Sequence, residues 1–140
     1  MNALFVLVVA IGFSMPLWVP YAPSTEGRLL PVVENVEIRD EQLTSDGLSF
    51  NVWIDKQRDC EFVGIAWYKL NKQNEPRLVD VEFNRGGSPV SRLAGHQNAG
   101  TWTIPGIRTL DRTIAFVQHR CHPLWQTYTK FFERNASLTD

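Results

Sequence analysis

The chain is short of charge in one place, short of cysteine throughout, and without a charge excess of either sign. Fourteen Lys and Arg against fifteen Asp and Glu give a formal net charge of −1. That balance leaves no electrostatic footprint for nucleic acid or for an anionic lipid surface, so no nucleic-acid partner is expected. There is no internal repeat and no low-complexity run, and helical apolar spacing is almost absent after the N-terminal stretch. The only cysteines are Cys60 and Cys121; neither lies near the end of the apolar N-terminal run, which argues against a lipoprotein anchor. Met1-Asn2 contains no Lys or Arg, so the charge rule gives no orientation for that run.

What the sequence does contain is a stretch from Ala3 to Ala22 without a charged side chain. About 20 residues of helix rise roughly 30 Å, the thickness of a bilayer's hydrocarbon layer. Residues 1–23 therefore read as a signal anchor or transmembrane helix. A cleaved signal peptide and a helix buried in a larger assembly are the alternatives. The candidate cleavage sites fit poorly: Gly12-Phe13-Ser14 is too early, and cutting after Ala22 puts Pro20 where a small residue belongs. Cysteines that are able to bridge suit an oxidising compartment, which places the rest of the chain outside the cytoplasm, periplasmic or extracellular.

Pro20, Pro23 and Pro31, with Ser24, Thr25, Glu26 and Gly27 between them, predict an extended tether over 24–31. From Val32 to Phe132 apolar residues alternate in short bursts between turn residues, the pattern of a single all-β domain with about seven strands. The expected strands are Val32–Arg39, Leu48–Ile54, Cys60–Leu70, Arg77–Phe83, Thr101–Ile104, Arg112–Cys121 and Leu124–Phe132. Cys60–Leu70 is apolar on both faces, which predicts a central strand covered on both sides. Asn84–Gly100 is expected to be a mobile loop, and residues 133–140 a disordered tail.

The two cysteines, about 60 residues apart with Trp67 following the first, resemble the pattern of immunoglobulin-like β-sandwiches. Two departures matter: Cys60 opens the strand that carries Trp67 instead of lying one strand earlier, and His119 stands where the family has its corner tyrosine. In such a sandwich the third and sixth strands are antiparallel neighbours. The resemblance therefore implies a Cys60–Cys121 bridge within one sheet, at one end of the sandwich. Free thiols and a zinc site built on His119, Cys121 and His122 are the alternatives, and the spacing disfavours zinc because His122 points away from the other two in an extended strand. No cofactor is expected.

Other candidate chemistry is thin. Asp80 and Glu82 share a strand face but look like solvated carboxylates; Ser88 and Ser91 near His96 lack the fixed geometry a nucleophile needs; Gly86-Gly87 lacks the strand-turn-helix context of a phosphate loop. Asn135-Ala136-Ser137 fits a glycosylation sequon. The tryptophans say more: Trp18 suits a membrane surface, Trp67 and Trp102 a core, and Trp53, Trp125 and Tyr128 a possible interaction surface for a protein or a glycan. These readings describe a non-enzymatic, membrane-tethered binding module. An accessory subunit of a membrane or phage-encoded assembly is the second possibility, since the small size, the apolar start and the Cys121-His122-Pro123-Leu124-Trp125 run resemble small signal-anchored proteins of bacteriophages.

Overall fold

A computed structural model describes residues 3–84 and 91–135 of the chain. Its N-terminus is helical: α1 spans Ala3–Trp18, a 3-10 turn follows at Val19–Tyr21, and α2 spans Ala22–Leu29. Most of the expected extended tether is thus helix. Pro20 and Pro23 each sit at the first or second position of their helix, where a missing N–H costs no hydrogen bond and the fixed φ is already helical. They restart the helix instead of ending it. The same restart divides the expected single helix over Ala3–Ala22, leaving α1 with 16 residues, about 24 Å of rise. No helix among the described residues is long and apolar enough to cross a membrane.

The remainder is an all-β sandwich of two antiparallel four-stranded sheets. Its strands are β1 (Val33–Leu43), β2 (Gly47–Lys56), β3 (Glu61–Leu70), β4 (Pro76–Val79), β5 (Glu82–Phe83), β6 (Gly95–Pro105), β7 (Thr113–Arg120) and β8 (Thr127–Arg134). The sheets run β1-β2-β6-β5 and β4-β3-β7-β8, the Greek-key order of an immunoglobulin-like sandwich with a fourth strand beside β3. Eight strands replace the expected seven because Arg77–Phe83 is not one strand. Its first part pairs with β3 in one sheet and its last part with β6 in the other. Val79, Val81 and Phe83 all reach the core across this switch, so the alternation is kept while the partner changes.

β6 starts six residues earlier than its apolar pattern indicates, because Gly95–Gly100 is recruited by backbone pairing to the far half of β2. The expected mobile loop is therefore in part strand, and its residues 85–90 lie outside those described. β8 likewise runs on to Arg134, whose guanidinium donates twice to Glu41 at 2.8 and 3.1 Å; the remainder of the expected tail, 136–140, is also outside the described residues.

The inward faces of β2, β6 and β7 and the buried Trp67 form the core. Trp67 is fully buried, with the rings of Phe132, Phe50, Phe131 and Trp102 at 5.2, 5.6, 5.7 and 6.4 Å. Such packing, worth several kcal/mol for a buried indole, links β3 and β8 of one sheet to β2 and β6 of the other. A second, smaller cluster of Val32, Val33, Cys60 and Val117 fills the end of the sandwich nearest α2. α2 itself packs against edge strand β8, most closely at Gly27. A Cβ at that position would lie 1.7 Å from the Tyr128 carbonyl oxygen, so the approach requires glycine.

Candidate functional site

The cysteines stand where the strand arrangement puts them, Cys60 just before β3 and Cys121 just after β7, with Cα atoms 4.6 Å apart and sulfurs at disulfide distance. The pair lies within one sheet, at one end of the sandwich. Beside it, His119 points inward at 3% exposure with Nδ1 lacking a hydrogen-bond partner among the described residues and its ring edge-on to Phe62 at 5.9 Å. Burial, with help from the nearby Lys56 ammonium, brings its pKa down to about 4. Lys56 is buried as well and donates from Nζ to the carbonyls of Cys60, at 2.7 Å, and Arg92. Burial lowers its pKa too, against the opposing pull of Asp59.

His122 turns to the other side, toward α2. Among the described residues no three of His, Cys, Asp and Glu are grouped to hold a metal ion. The other chemical candidates are also kept apart. Ser91 Oγ accepts from the Phe62 amide at 2.9 Å, while His96 Nδ1 faces Asp55 Oδ1 at 2.5 Å. Hydrogen bonds from Asn35 and His96 hold Asp55 below the usual carboxylate range. Asp80 falls in the link between β4 and β5 and Glu82 in β5, so they do not share a strand. Gly86, Gly87, Ser88 and most of the sequon lie outside the described residues.

The densest polar site centres on Glu26, a residue read from the sequence only as tether. Its carboxylate is 12% exposed. Oε2 accepts from Thr127 Oγ1 at 2.7 Å and Trp125 Nε1 at 2.8 Å and faces His122 Nε2 at 3.1 Å, while Oε1 accepts from Arg58 at 2.8 Å. Burial alone would raise its pKa; the bonds from Thr127, Arg58, Trp125 and His122 outweigh burial and bring it to about 2. Only Thr25-Glu26-Gly27 and the distant Trp125-Gln126-Thr127 would have signalled this, and about a hundred residues separate them, so no local pattern reveals it. The effect is to clamp α2 onto β8.

The aromatic residues divide accordingly. Trp125 is turned onto Glu26, edge-on to His122 at 4.5 Å. Trp53 is on the outer face of the other sheet, between the Arg39 guanidinium at 5.2 Å and the His96 ring at 5.4 Å. Tyr128 remains 38% exposed on the outer face of β8, and no described element lies over that face. An open groove of about 870 Å³ runs over it, floored by Ala66, Tyr68 and Leu70 of β3 and by Ile114, Phe116 and Gln118 of β7. Tyr68 and Phe116 meet edge to face at 6.2 Å. Tyr128 and Lys130 continue the floor, and Ser24 and Arg28, one helical turn apart on α2, wall it. The second apolar face of β3, expected to be covered, is instead this groove.

No protein-family model matches the chain, and neither a curated protein nor a solved structure matches it.

Proposed function

We propose that the chain is a non-enzymatic, membrane-tethered binding module that works outside the cytoplasm. The observation that carries this reading is α1. Leu7, Val8, Val9 and Leu17 are 57%, 61%, 38% and 74% exposed and, at 100° per residue, point to every side of the helix. A helix apolar all round suits lipid or the interior of an assembly and does not suit water. The 3-10 turn and α2 then pass without an extended linker into the clamped edge of the sandwich. The Cys60–Cys121 pair supports an oxidising compartment. The Cys60–Cys121 pair, a buried neutral histidine and, among the described residues, Ser91 and His96 held by different partners favour binding over catalysis, and the open groove beside Tyr128 is the surface best suited to it.

Fractionation of the native host tests the reading. The expected result is full-length protein in a membrane pellet that resists alkaline carbonate, degraded by protease added from the outside, with neither cysteine alkylated before reduction. Full-length protein in the soluble fraction would overturn the tether, and two alkylated cysteines would overturn the compartment. Stoichiometric partners remaining after detergent extraction would favour the accessory-subunit role.

A further inference from the structure

We infer that the groove on the outer face of the β4-β3-β7-β8 sheet is a binding site for an acidic oligosaccharide; the inference rests on the binding-module reading and names its ligand. The chemistry of the lining selects the class. The floor offers aromatic surfaces from Tyr68, Phe116 and Tyr128 on which the C–H face of a sugar ring stacks. Around them stand neutral hydrogen-bonding groups, the amides of Gln118 and Asn74 and the hydroxyl of Ser24. Among the described residues no carboxylate lines the groove, whereas two cations do. Lys130 is paired with Glu133 at 2.6 Å. Arg28 has no hydrogen bond or ion pair among the described residues and is exposed at the groove wall. An exposed planar guanidinium lining the same groove as aromatic side chains suits a carboxylate on a sugar.

The same floor disfavours a peptide. An extended peptide gains affinity by pairing its main chain with a free strand edge, but β3 and β7 lie inside the sheet, where their backbone groups are spent on each other and on β4 and β8. A peptide laid across them would leave its own amides unpaired. An oligosaccharide meets side chains only, and three inter-strand steps give it a path of about 14 Å.

Titration calorimetry on the full chain in polyoxyethylene micelles, chosen because they carry no sugar headgroup, tests the site. Oligogalacturonate and hyaluronan fragments are the acidic probes, and cellohexaose and maltohexaose the neutral ones. At least one acidic probe is expected to bind, less tightly as salt rises, with neutral probes weaker. Arg28→Gln should weaken binding about tenfold, the loss of one charged hydrogen bond, and Tyr128→Ala about threefold to tenfold. Trp53→Ala, on the opposite sheet, should leave affinity unchanged. Both groove side chains are exposed, so unchanged melting of the two variants separates lost binding from lost fold. The inference is overturned if no acidic probe binds at millimolar concentration, if neutral probes bind as well as acidic ones, or if Arg28→Gln and Tyr128→Ala leave binding intact. A Glu-Tyr copolymer binding where the saccharides are silent would overturn it too and make the groove a protein dock. These results are independent of the tether: a membrane-bound chain that ignores every saccharide refutes the ligand alone, and a soluble chain that binds one refutes the tether alone.

Discussion

Replacing Glu26 with glutamine should release α2 from the sandwich, by an amount that depends on pH in a specific way. A carboxyl taken from 4.5 to about 2 in the fold contributes about 3 kcal/mol when it is ionised in both states. The depressed value fixes the sign. Above pH 4.5 the contribution is complete. As pH falls from 4.5 toward 2 the unfolded or undocked chain takes up a proton that the docked carboxylate refuses, and stability drains at about 1.4 kcal/mol per pH unit. The part of wild type's advantage over Glu26→Gln that comes from ionisation should therefore be about 3 kcal/mol at pH 7, about 1 kcal/mol at pH 3 and under about 0.5 kcal/mol at pH 2. Glutamine cannot reproduce the site, because its amide has one acceptor oxygen where Thr127, Trp125, His122 and Arg58 converge on two. Because a docked helix can open without the whole domain unfolding, the assay is amide hydrogen exchange over residues 22–29, with both proteins compared at each pH so that intrinsic exchange rates cancel. Protection should differ about a hundredfold at pH 7. Equal protection at pH 7, or a gap of the same size at pH 7 and pH 3, would refute the reasoning.

Three further changes probe separate parts of the fold. His119 is neutral in the fold down to about pH 4 but charges near 6.5 when unfolded; the unfolded state thus binds the extra proton between those values, and stability should fall by about 3 kcal/mol as pH drops from 6.5 to 4. His119→Leu should erase that segment of a urea-denaturation pH profile, and a slope that survives the substitution would exonerate His119. Cys121→Ser opens a bridge between residues 61 apart in sequence, worth up to about 4 kcal/mol, so it should lower the melting temperature by on the order of 15 °C without reductant. Coincident melts of mutant and wild type would remove the bridge. Gly27→Ala would drive a methyl into the Tyr128 carbonyl and should strip exchange protection from α2 while the sandwich melts within a few degrees of wild type; retained protection would show that α2 does not dock as described.

The parts of this fold that were legible in the sequence are those written in two-residue periods. Leu48, Phe50 and Val52 declared the inner face of β2, and Trp67 and Trp102 the core, because burial of alternate side chains leaves a local record. Gly95–Gly100 left no such record: that half of β6 pairs with β2 through its backbone, and its side-chain ties to β2, His96 with Asp55 and Trp53, follow no two-residue apolar period. The sheet switch at Asp80-Val81 was hidden for the opposite reason, since Val79, Val81 and Phe83 keep perfect alternation while changing partners. Pro23 misled because proline stops a helix in its interior and starts one at its first turn, and the sequence alone does not say which position it holds.

The groove shows how a correct local observation led to a wrong structural conclusion. β3 is apolar on both faces, and the usual reason is cover on both faces. Here one face is covered by the other sheet and the second is left to Tyr68 and its neighbours, with α2 as a wall. A wall is useful only if it stays in place, and that is the task the Glu26 cluster and Gly27 perform: Ser24 and Arg28 face the groove while Glu26, between them in sequence, faces the clamp. If the groove binds a ligand as proposed, the clamp and the groove act together, and loss of Glu26 should loosen Arg28 and weaken any ligand that depends on it. Glu26→Gln is accordingly expected to lower oligogalacturonate or hyaluronan affinity at pH 7, although Glu26 itself touches no part of the groove. A full loss of α2 protection with undiminished saccharide binding would separate the two and leave the strands alone as the binding surface.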